Sequence, residues 1–68
     1  MNNSEMVVIN TVKGIKADLE KGKRTIKKIA AECAVFADQV GPEYREYFQS
    51  MSQCKTRREF DSFISLVV

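Results

Sequence analysis

Cys33, Cys54 and the carboxylate pair Glu43 and Glu46 are the side chains with the most chemistry to offer, and each is limited by what surrounds it. The 68 residues include no histidine. That side chain is the commonest general acid or base and the usual partner of a serine or cysteine nucleophile, so most hydrolase constellations are excluded. Paired carboxylates can divide acid and base roles. Glu43 and Glu46 follow Pro42, however, and acidic residues near a helix N-terminus are favoured by the macrodipole, which is the reading taken. Cys33 falls on an apolar stripe, where a thiol behaves as a small hydrophobe. Cys54 stands beside Lys55, but a loop thiol near one lysine is a weak signal of a lowered pKa.

Two cysteines without histidine and without a Cys-x-x-Cys pair give no structural zinc site. Gly22-Lys23-Arg24-Thr25 matches only the end of a phosphate-binding loop and lacks the glycine-rich turn and strand before it. The chain is therefore read as no enzyme, with no metal and no cofactor. Its N-terminus, MNNSEMVVIN, has no basic leader and too short an apolar run for a secretory signal. Reduced thiols and a cytoplasmic location are expected. Nothing approaches the roughly 20 apolar residues that span a bilayer, so no membrane association is expected.

The spacing of apolar residues predicts one all-α domain over residues 1–68, a small bundle of about four short helices at about 5–20, 23–40, 42–53 and 57–67. Asn3 or Ser4 can cap the first, in which Val8, Ile9, Val12, Ile15 and Leu19 lie within an arc of roughly 120° at helical spacing. The β-branched run Val7–Val8–Ile9 would also suit a strand, but the stripe continues through Leu19 and helix is preferred. Gly22 supplies a left-handed stop. Ile26, Ile29, Ala30, Cys33, Phe36, Ala37 and Val40 form the stripe of the second helix. Gly41–Pro42 ends that helix, and Pro42 can open the third. Thr56-x-x-Glu59 is a capping box announcing the fourth, with Phe60, Phe63, Ile64 and Val67 as its apolar edge.

The segment Thr25-Ile-Lys-Lys-Ile-Ala-Ala-Glu-Cys-Ala-Val35 resembles the first helix and turn of the helix-turn-helix family, with Ile29 and Ala30 at packing positions and Val35 after the turn. Ala34 stands where that family has its turn glycine, and Pro42 falls inside what would be the recognition helix. An uninterrupted packing helix explains the same residues more simply, and no family is assigned.

The net charge of +2 conceals a polarised distribution. Lys13, Lys16, Lys21, Lys23, Arg24, Lys27 and Lys28 gather around the first loop, whereas Glu32, Asp38, Glu43 and Glu46 make the following stretch acidic. A domain this small buries only about 60% of its unfolded surface. With no staple, and with Met6, Val7 and Val35 off the main stripes, a homodimer is expected. The function expected is that of a small protein-binding regulator, an adaptor or inhibitor of the kind phages and other mobile elements encode, an analogy of size and composition alone. Val35, Tyr44, Tyr47 and Phe48 are its candidate protein-interaction residues. The alternative is a nucleic-acid-binding accessory or transcriptional regulator using Lys21, Lys23, Arg24, Lys27 and Lys28, with Arg57 and Arg58 as candidate additions.

Overall fold

The computed structural model describes residues 3–68, with side chains from Glu5 onward. Four helices follow one another: α1 (Asn3–Lys21), α2 (Ile26–Gln39), α3 (Pro42–Met51) and α4 (Arg57–Ile64). No strand occurs among the described residues, so Val7–Val8–Ile9 is helical, as the continuing stripe implied. The expected cap at Asn3 or Ser4 concerns side chains outside the described residues.

Each boundary has a local cause. α1 closes where Gly22 takes φ +67°, and the Lys23 N–H donates to the Asp18 carbonyl at 3.0 Å. This is the arrangement by which a left-handed residue satisfies the last carbonyls of a helix. Residues 23–25 then redirect the chain, so α2 starts at Ile26 rather than at Lys23. Thr25 caps it, its hydroxyl accepting from the Lys28 N–H at 3.1 Å. α2 runs without interruption through Ala34 to Gln39. The position where a helix-turn-helix would turn is thus mid-helix.

Gly41 precedes α3 in extended conformation, and Pro42 occupies its first turn. At α4 the Thr56 half of the capping box forms, the Glu59 N–H donating to the Thr56 hydroxyl at 3.2 Å, whereas the Glu59 carboxylate accepts from the Lys55 N–H at 3.2 Å. α3 and α4 end at Met51 and Ile64, earlier than their apolar spacing suggested. In both places the chain continues in tighter i to i+3 turns, Cys54 N–H to Met51 carbonyl and Val67 N–H to Ile64 carbonyl. Such turns prolong the apolar periodicity beyond the helix proper.

All four helices contribute to one core: Val8, Val12 and Ile15 from α1, Ile29, Cys33 and Ala37 from α2, Phe48 and Met51 from α3, Phe60 and Ile64 from α4, with Cys54 from the last connection. α3 packs chiefly on α2, and α4 lies against both α1 and α3. The backbones of α1 and α2, though consecutive, barely approach each other. That gap positions the surface features described next.

Candidate functional site

Tyr44, Tyr47 and Phe48 do not form one binding face. Phe48 is 0% exposed, its ring edge-on to Phe36 at 4.7 Å and to Tyr47 at 5.1 Å. It has no surface to offer a partner, which corrects its candidacy. The signal lay in the sequence: Phe48 is four residues after Tyr44 and three before Met51, the middle of the α3 stripe. Tyr47 is half-buried and acts as a brace. Its hydroxyl donates to the Phe63 carbonyl at 2.6 Å, and its ring meets Phe63 edge-on at 5.9 Å, holding α4 to α3. Burial, reinforced by Cys33 and Cys54, pushes the Tyr47 phenol up to about 12.

Tyr44, like Tyr47, is of intermediate exposure. It lines a cleft of about 320 Å³ with Val7 and Val8 of α1, Phe36 of α2, and Val40 and Gly41 of the α2–α3 connection. Val7 is 49% exposed there. The Tyr44 phenol is raised by desolvation first, then by the charges of Glu5 and Glu43. The cleft thus mixes apolar side chains with the Gln39 amide, and the Tyr44 phenol at its edge feels the charges of Glu5 and Glu43.

A second, larger groove of about 600 Å³ runs between α1 and α2, where their backbones separate. Ile15, Cys33 and Phe36 line it, and a Cβ built on Gly14 meets nothing within 4 Å. Val35 stands on its α2 border at 59% exposure, pointing away from the Ile29–Cys33–Ala37 face.

The basic region divides in two. Arg24 is engaged: its guanidinium donates to Asp18 at 2.5 Å and to Glu32 at 2.9 Å, tying the end of α1 to α2. This removes Arg24 from the set of available phosphate contacts. Lys21, Lys23, Lys27 and Lys28 are exposed, with no ion pair among the described residues. Lys55 lines, together with Thr25 and Lys27, a depression of about 710 Å³ between α2 and the α3–α4 connection. Nothing in sequence spacing foretold that arrangement, because 28 residues separate Lys27 from Lys55. Arg57 lies 4.0 Å from Asp61 on its own helix, and Arg58 is exposed.

Both thiols are free and buried. Cys54, a loop thiol beside Lys55 in the sequence, has its pKa raised, by desolvation first and Glu59 second. Its sulfur contacts the Ser50 carbonyl at 3.8 Å. Cys33 is pushed to about 11, again chiefly by burial. Neither is an activated nucleophile. Among the described residues no cluster of three metal-ligating side chains forms, and no helix is long and apolar enough to cross a membrane.

Compared with known protein families, curated proteins and solved structures, the chain matches none.

Proposed function

We propose that this chain is a protein-binding regulator, an adaptor or inhibitor, that takes a segment of another polypeptide into the Tyr44 cleft. The observation that carries the reading is a cleft lined by Val7, Val40 and Tyr44, beside which the charges of Glu5 and Glu43 act on the Tyr44 phenol. A complementary segment has an apolar anchor residue flanked by lysine or arginine. The anchor leaves water in the cleft, and the cations meet Glu5 and Glu43. Tyrosine suits such a position because it presents a large rigid surface with a polar tip.

The test is affinity capture from the host cell with the wild type, Tyr44→Ala and Val7→Asp, each checked for helix content by circular dichroism. A protein recovered stoichiometrically by the wild type and lost from both variants supports the cleft. Equal recovery by all three, or no partner at all, overturns it.

A second reading has its own observation, the cluster of Lys21, Lys23, Lys27 and Lys28 joined by Lys55. It makes the turn between α1 and α2 a phosphate-contacting surface for nucleic acid. Such binding weakens steeply with salt. Duplex DNA and RNA titrated at two salt concentrations test it, and a chain that binds neither at low salt is not a nucleic-acid protein. Lys23→Glu with Lys27→Glu is the informative variant, because Arg24 holds the fold.

A further inference from the structure

We infer that the outer ridge of α2 is a self-complementary seam on which a second copy of this chain docks, the two α2 helices running antiparallel. Lys28, Ala31, Val35 and Asp38 are all exposed, the first three along the α2 border of the groove flanked by α1, and recur at i, i+3, i+7 and i+10. At 100° per residue they occupy an arc of roughly 80°, directly opposite the buried Ile29, Cys33 and Ala37. This is the three-four spacing by which helices pair along a narrow stripe.

The order of residue types along the ridge selects the partner. A positive end, two small apolar positions and a negative end pair with a reversed copy of themselves. Lys28 then faces the copy's Asp38, and Ala31 faces its Val35, each contact occurring twice about a two-fold axis. On the flanks, Lys27 meets Gln39 and Glu32 meets Ala34, so no like charges oppose one another. A parallel pair would instead set Lys28 on Lys28, Asp38 on Asp38 and Glu32 on Glu32.

The charges of α2 give independent support. Its first turn contains Lys27 and Lys28 but no acidic residue, while Asp38 lies in a last turn without a basic one. Both placements oppose the helix macrodipole and are unfavourable within the single chain. Neither Lys28 nor Asp38 has an ion-pair partner among the described residues. An antiparallel copy supplies one to each and opposes the two dipoles.

At 14 residues, α2 offers a seam of about 21 Å. That is at the small end for a specific interface, and association in the micromolar range is expected. Sedimentation of the wild type over roughly 10 μM to 1 mM should resolve a monomer–dimer equilibrium. Lys28→Glu and Asp38→Lys should each weaken dimerisation by about tenfold or more, since each places like charges in two layers. Mixed one to one, the two variants should recover wild-type affinity as a heterodimer. Each single variant should also melt no lower than wild type as a monomer, because both changes suit the macrodipole. A wild type that stays monomeric at the highest concentration overturns the seam, as does a mixture that fails to associate. Neither substitution alters a residue lining the Tyr44 cleft, so loss of self-association and loss of partner capture are separate outcomes.

Discussion

Arg24 holds carboxylates from two helices, Asp18 of α1 and Glu32 of α2, across the place where the backbones diverge. Arg24→Ala should lower stability by about 1 kcal/mol, as expected for a partly exposed charge network. The shift would appear as a fall of roughly 4–8 °C in melting temperature. High salt should shrink the difference between the two proteins. The sequence placed Arg24 correctly in a basic cluster, but formal charge cannot distinguish a spent cation from an available one; that depends on which carboxylates the turn brings within reach. Cys54 illustrates the same gap, because Lys55 is its neighbour in the chain while the Met51 turn buries the thiol.

The buried acids carry a pH prediction at the same scale. Cys33 and Tyr47 are raised in the fold to about 11 and about 12 from ordinary values of 9.0 and 10.0. The folded chain therefore holds these protons more tightly than the unfolded one. Their contribution is complete below pH 9 and is lost as pH rises through about 9 to 12. Urea midpoints measured from pH 8 to pH 12 should fall with pH. Cys33→Ala should flatten the first part of that decline.

At the level of helices, apolar spacing located all four, and the capping residues Gly22, Thr25, Pro42 and Thr56 set their starts and stops. Four limits were overextended, the end of α2 by a single residue, because periodicity survives a tightening of the last turn and the redirection over residues 23–25 consumes positions that would otherwise extend α2. Gly14 is the weakest link within a helix. It costs conformational entropy, and a methyl there meets open groove. Gly14→Ala should therefore raise stability by about 0.5–1 kcal/mol, read as a higher urea midpoint. A decrease would mean that α1 needs close approach at this position.

The molecule as a whole is stabilised by little. A chain of 68 residues has a total stability of about 3–10 kcal/mol, and Phe48 sits at the junction of α2, α3 and, through Tyr47, α4. Phe48→Ala, at about 3–5 kcal/mol, should remove most of that stability and leave a broad, weakly cooperative thermal transition. The candidate surfaces were less legible than the core. Tyr44 and Val35 were named from residue type and phase, while the Tyr44 cleft and the depression shared by Lys27 and Lys55 depend on how α1, α3 and the α3–α4 connection meet in space.

Among the described residues no polar or charged side chain is buried. Apart from the Tyr47 hydroxyl on the Phe63 carbonyl and the Cys54 sulfur on the Ser50 carbonyl, such an interior is specified by volume. Paired replacements at contacting positions that conserve total volume, as between Phe36 and Phe48, should be tolerated at little loss of stability. What such exchange would erode first is the uniqueness of the packing.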